Sequence, residues 1–237
     1  MTTRSPNQTL LPPGLGIRAH PGDPRHSQPA RGQQCQKPVI AALNGHAVGV
    51  GITMTLACAA RITHSHAKIG FVFARRGFNM EACSSFFLPR ILGHGRALTL
   101  VTTGATCAAS DPAVRDLFAE VVSGDEPAEV LPRALALAEE VAGKTSAVAT
   151  KAMRDMLYHG PATPEEAERL ESRVFFDLFR GADAREGIRS FLEKCEPRFD
   201  ARWESDKPAV WPWWGRKQKT ETTEDGGGVM GWLKSKL

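Results

Sequence analysis

The stretch Asn44-Gly45-His46-Ala47-Val48-Gly49-Val50-Gly51 has the residue types and spacing most able to do chemistry. The apolar run Val39–Leu43 ahead of it reads as a buried strand, and Ile52–Ala60 behind it suits a buried helix. A chain turning through glycines from strand to helix leaves backbone N–H groups at the helix start without intrahelical acceptors. Such groups can hold a phosphate, or stabilise an oxygen that gains negative charge in a transition state. The spacing matches neither Gly-x-Gly-x-x-Gly nor a Walker loop, which disfavours a nucleotide phosphate. A tight turn with close helix packing would use the same glycines, so the turn alone leaves both readings open. His46, His64 and His66 have no Asp, Glu or Cys partner at metal-ligand spacing and read as surface or turn residues.

The elements that must position this turn follow from composition and periodicity. Residues 1–36 are rich in Pro and Gly and read as a loop-like or disordered leader. Residues 37–130 carry the strands: after Val39–Leu43, two more are expected at Ala59–Thr63 and Ile69–Phe73. Residues 131–199 read as a helical module. Val130, Ala134, Leu137 and Val141 define one helix face. Thr163-Pro164-Glu165-Glu166 is a capping box opening a helix with the stripe Ala167, Leu170, Val174 and Leu178. Asp183 with Glu186 marks another start, for a helix carrying Ile188, Phe191 and Leu192. Residues 200–237 begin with Trp203, Trp211, Trp213 and Trp214 and read as an extended tail. Strands first and helices later predict a mixed α/β fold.

The 237 residues carry 30 Lys+Arg against 26 Asp+Glu, a net charge of +4 too small and scattered for a nucleic-acid binder. No window nears the roughly 18–20 apolar residues that span a bilayer, and Met1–Pro6 lacks a secretory pattern. The five cysteines form no CxxC pair, so neither a disulfide framework nor a zinc site is indicated.

Lys37–Gly51 resembles the signature segment of the crotonase (enoyl-CoA hydratase/isomerase) family. The likeness continues through Ala67–Gly77 and Phe87–Gly93 and ends at Asp183–Ile188 and Phe191–Lys194. The resemblance implies an α/β crotonase-like spiral of β-β-α units followed by a helical module. It implies chemistry on acyl-CoA thioesters, in which two backbone N–H groups hold the thioester oxygen of an enolate. By motif position the second donor is the N–H of Val50, flanked by Gly49 and Gly51 as substrate-binding residues. Phe179 and Lys194 match positions that meet acyl-CoA from the C-terminal helices, with helix packing and surface charge as equal alternatives. No cofactor is implied beyond coenzyme A within the substrate. The expected assembly is a homo- or hetero-oligomer, a trimer or hexamer.

Family members resembling hydratases carry two carboxylates at the positions of Thr53 and Phe73, and neither is acidic here. Peroxisomal Δ3,Δ2-enoyl-CoA isomerases carry one catalytic Glu in a segment like Gly77–Ser85, which matches Glu81. Isomerisation needs only one base, removing a C2 proton and returning it at C4. Phe78, Met80, Phe86 and Phe87 are expected to surround this carboxyl with apolar surface.

The chain ends in Ser235-Lys236-Leu237, a peroxisomal import tripeptide read by a receptor. Three functions are therefore expected: a peroxisomal enoyl-CoA isomerase; a hydratase in a peroxisomal fatty-acid, siderophore or toxin route; or an impaired paralogue working in hetero-oligomers. The third follows from length. Family members carry a longer N-terminal part with early strands and a loop like Ala-Gly-x-Asp that gives the first oxyanion donor. Here 36 residues precede Lys37, and Ala19-His20-Pro21-Gly22-Asp23 is a poor match, so a core incomplete at its N-terminus is expected.

Overall fold

The computed structural model describes residues 35–123 and 127–214 and divides the chain into two compact units, Met1–Glu139 and Glu140–Leu237. The first unit holds two three-stranded sheets. In one, β1 (Ile40–Leu43) and β6 (Glu120–Val122) flank β3 (Ala60–His64), all parallel, with Ile40 opposite Ala60 and Ile62 opposite Glu120. In the other, β4 (Lys68–Gly70) lies between β2 (Ala47–Val48), parallel to it, and β5 (Thr106–Ala108), antiparallel. Arg61 to His64 of β3 are all buried, as a central parallel strand requires. Ile62 packs against Val130 and Ala134 of α4 (Val130–Lys144), so the helix face read from the sequence covers this sheet. Burying an Ile or Val of this kind contributes about 1.5–3 kcal/mol.

Two expected elements are shorter than their apolar runs. The helix predicted over Ile52–Ala60 is only α1 (Val50–Thr53). Beyond it, Thr55 Oγ1 donates back to the Ile52 carbonyl at 2.8 Å, a local bond that competes with helix propagation. The carbonyls of Thr55, Leu56 and Cys58 turn instead to the Arg61 guanidinium, which is buried and also donates to Leu117. The strand predicted over Ile69–Phe73 stops at Gly70, because both neighbours run out there: Gly70 is opposite Val48 on one side and Thr106 on the other. A Cβ on Gly70 would lie 2.8 Å from Thr106 Oγ1, so only glycine admits β5 this closely. Phe71 and Phe73 are buried in the turn that follows. Helices α2 (Ser84–Leu92) and α3 (His94–Thr103) complete the unit with α1 and the first part of α4.

The second unit contains α5 (Ala147–His159), α6 (Pro164–Phe179), α7 (Ala182–Glu193) and the short α8 (Trp203–Asp206). Thr163 caps α6 as read from the sequence, its hydroxyl accepting from the Glu166 N–H at 3.3 Å. The helix expected after Asp183 is α7, and the Ile188, Phe191 and Leu192 it carries are 49, 82 and 72% exposed. The opposite face takes the returning chain. Asp183 Oδ1 accepts from the Asp200 and Ala201 N–H groups, Glu186 accepts from Arg198 N–H, and the Phe199 ring lies against Gly187.

The tryptophan patch, expected to open a tail, packs on α5. Trp211 Nε1 donates to Asp155 Oδ2 at 3.0 Å, and Trp213 Nε1 to the His159 carbonyl at 3.0 Å. Asp155 also pairs with Lys151 (2.8 Å) and Arg154 (3.0 Å), while the Lys151 ammonium stands 4.3 Å from the Trp203 ring centre. Burial pushes the Asp155 carboxyl up, but hydrogen bonds from Lys151, Trp211 and Arg154 outweigh it and hold the group below the usual range. Burial also pushes His159 down, against the pull of Asp155 and with the help of Arg154 and Lys151.

Both groups bind protons less readily folded than unfolded, so their stabilisation is complete above the unfolded pKa values and is lost as pH falls. Urea melts should weaken first below about pH 6.5, from His159, and again below about pH 4, from Asp155. Asp155→Leu, which leaves buried Lys151 without its carboxylate, should cost about 3–5 kcal/mol at neutral pH. An unchanged urea midpoint in that variant would contradict the anchoring role.

Candidate active site

The glycine turn sits where the second sheet meets α1. Gly49 has φ 60° and ψ −125°, a backbone conformation that side chains oppose, and its N–H donates to the Gly70 carbonyl at 2.9 Å. Its own carbonyl accepts from the Ile52 and Thr53 N–H groups and so opens α1. Val50 follows with its side chain 55% exposed, and among the described residues no acceptor meets its N–H. Gly51 is half-buried and stands in ordinary contact distance of Ala47.

Glu81 stands on the turn that enters α2. The next two residues, Ala82 and Cys83, both take left-handed φ values, 59° and 56°. For residues with a Cβ this costs about 1–2 kcal/mol each. The Glu81 carbonyl is held from the other side, accepting from Ser84 N–H at 3.0 Å and from the buried Ser84 hydroxyl at 2.6 Å. Strain of this kind, over-determined by its surroundings, is what functional turns store.

The Glu81 carboxylate reaches α1. Thr53 Oγ1 donates to Glu81 Oε1, and the same oxygen lies 3.2 Å from the Gly49 carbonyl. Phe73 is buried with its ring against Gly49 and edge-to-face with Phe78 at 5.7 Å. Thr53, Phe73, Glu81 and the Gly49–Val50 turn therefore share one place in the first unit. The expectation that apolar side chains enclose Glu81 is corrected. Glu81, Phe78 and Phe86 are exposed, Met80 is half-buried, and Phe87 alone of the four is buried. Phe86 turns outward on α2, under the Arg90 guanidinium at 3.6 Å.

Two further expected site residues belong to the second unit. Phe179 ends α6 in the second unit, stacked on Phe175 at 5.3 Å, and helps line a largely apolar cavity of about 780 Å³ there. Lys194 caps α7 in a left-handed conformation (φ 54°), its N–H donating to the Ser190 carbonyl. Ser235, Lys236 and Leu237 lie outside the described residues, as does Ala19–Asp23. His46 keeps a turn role, its Nδ1 accepting from Lys68 N–H at 3.0 Å. His64 does not lie at the surface as expected: it is buried at the end of β3, and Nδ1 has no partner among the described residues. Among the described residues no three His, Cys, Asp or Glu side chains gather as a metal site.

Comparison with known proteins bears directly on this arrangement. The family model for enoyl-CoA hydratase/isomerase matches residues 23–202. The enoyl-CoA hydratase AFT3-1 of Alternaria alternata is 48% identical over 165 residues, covering 70% of this chain and 55% of that protein. A probable enoyl-CoA hydratase of Bacillus subtilis is 33% identical over 177 residues, covering 71% of this chain and 67% of its own. Among solved structures, a probable enoyl-CoA hydratase/isomerase from Mycobacterium abscessus matches with a TM-score of 0.70 at 27% identity, over 80% of this chain and 74% of that one. The chain belongs to the enoyl-CoA hydratase/isomerase family and has its crotonase fold. It spans about half the length (55%) of the Alternaria relatives.

The Gly49 conformation gives a direct test of how the turn is built. Gly49→Ala should destabilise the chain by about 1–3 kcal/mol through backbone strain. Denaturant melts check this, and an unchanged midpoint would show that the turn tolerates a side chain.

Proposed function

We propose that the protein is an enoyl-CoA isomerase that shifts a 3-enoyl-CoA to the 2-trans isomer. The observation that carries this reading is the single carboxylate of Glu81, tethered to Thr53 beside the Val50 turn, while Thr53 and Phe73 fill the positions where a hydratase-like member would hold its two acids. The Val50 N–H receives the thioester oxygen as it gains charge. Glu81 removes a proton from C2, the electron pair spreads into a dienolate, and the same carboxyl returns the proton at C4. Mass is unchanged, and coenzyme A enters and leaves as part of the substrate. Glu81 is exposed in the free chain, and the bound acyl chain would itself shield it from water.

A second reading, water addition to a 2-enoyl-CoA, is favoured by the names of the Alternaria relatives, each an enoyl-CoA hydratase. It requires a water adduct as product, in a peroxisomal fatty-acid or fungal secondary-metabolite route. We further propose that the outward stripe of α7 (Ile188, Phe191, Leu192) joins copies of the chain or related chains, and that Ser235-Lys236-Leu237 directs it to the peroxisome.

Glu81→Gln should lower isomerisation of a 3-enoyl-CoA by about 100- to 10,000-fold, the range expected for loss of a general base. A wild-type rate in that variant would sink the assignment. Light scattering should report a trimer or hexamer that Phe191→Asp dissociates, and a fluorescent fusion should leave peroxisomes when Ser235–Leu237 is deleted; an unmoved mass or location contradicts the respective reading.

A further inference from the structure

Thr53 is fully buried in α1, and its hydroxyl has three oxygens in reach: Glu81 Oε1, and the Gly49 and Val50 carbonyls at 3.2 and 3.4 Å. A hydroxyl has one proton to give. The two carbonyls do not depend on it. Gly49 already accepts from the Ile52 and Thr53 N–H groups, and Val50 from the Met54 N–H. Among the described residues the carboxylate has no such substitute. Glu81 has its backbone fixed by Ser84 and by the left-handed Ala82-Cys83 pair, but its side chain extends from an exposed turn.

We propose that Thr53 is the positioning residue of Glu81. Its hydroxyl donates to Oε1, which holds the carboxyl beside the Val50 turn and leaves Oε2 to take up and return the proton. Thr53 keeps its own proton throughout. This assignment rests on the reading of Glu81 as the base. It also gives a reason for a hydroxyl at a buried position where valine has the same shape.

The test is steady-state turnover of a 3-enoyl-CoA by wild type, Thr53→Val, Thr53→Ser, Glu81→Gln and the Thr53→Val/Glu81→Gln pair. Thr53→Val should lose about 10-fold or more in kcat while KM stays within about twofold, as expected when orientation and not binding is lost. Thr53→Ser, which keeps the hydroxyl, should recover most of that loss. In the Glu81→Gln background Thr53→Val should cost nothing further, because the two side chains act as one unit. Should Thr53→Val not fold, Thr53→Ala lacks the hydroxyl equally and is read the same way. Wild-type kcat in the hydroxyl-free variant, no recovery with serine, or an equal loss in the Glu81→Gln background would overturn the proposal. If Glu81→Gln alone retains full activity, the base assignment itself falls, an outcome distinct from the other three.

Discussion

A buried guanidinium sets the frame for everything near the candidate site. Arg61 lies on the central strand β3 and donates to the carbonyls of Thr55, Leu56, Cys58 and Leu117. A charge taken out of water must be met by hydrogen bonds, and here the peptide oxygens just past α1 meet it. The same bonds end the helix after a single turn. The short helix in turn places Thr53 near Glu81 and leaves Val50 at the start of the turn, next to the Gly49–Gly70 bond that ties it to the second sheet. The site is thus a consequence of how one buried arginine is satisfied.

Family membership and chemistry separate at two positions. Hydration across a double bond is best served by two carboxylates, whereas moving the bond needs one base that gives back what it takes. In the proposed reading Phe73, packed on Gly49 and Phe78, closes one of the two acid positions with a ring. Thr53 closes the other with a hydroxyl that can hold a carboxylate but cannot replace one. The remaining acid, Glu81, comes from a different turn, whose two left-handed residues spend conformational energy to present it. In the proposed mechanism that strain orients the one group whose direction matters.

Much of this was legible in the residues, and the limits have physical causes. The strand at Ile40–Leu43, the Thr163 cap and the inward face of α4 follow from local pattern, and the structure has all three. Glu81 and Val50 could be picked out only through the family motif, since a lone carboxylate and a glycine turn are chemically unspecific. What local pattern could not reach depends on long-range pairing. The early end of β4 is set by where β2 and β5 stop, and the outward turn of the α7 stripe by the returning chain at Arg198–Ala201. The Thr53–Glu81 bond spans 28 positions and joins residues with no shared periodicity. A hydroxyl at a position where the resemblance implies an acid in hydratase-like members is its one sequence signal. The tryptophans after Trp203 read as tail for the same reason: their partners, Asp155 and His159, lie on α5, some fifty residues earlier.

The central claim is that one carboxylate moves a proton and adds no water. Its most direct test is to incubate the protein with a 3-enoyl-CoA in heavy-oxygen water and follow the products by mass and by the position of the double bond. The account predicts a 2-trans-enoyl-CoA of unchanged mass with no label. Unreacted 3-enoyl-CoA, with a 2-trans-enoyl-CoA supplied in parallel converted to a 3-hydroxyacyl-CoA carrying the heavy oxygen, would contradict it.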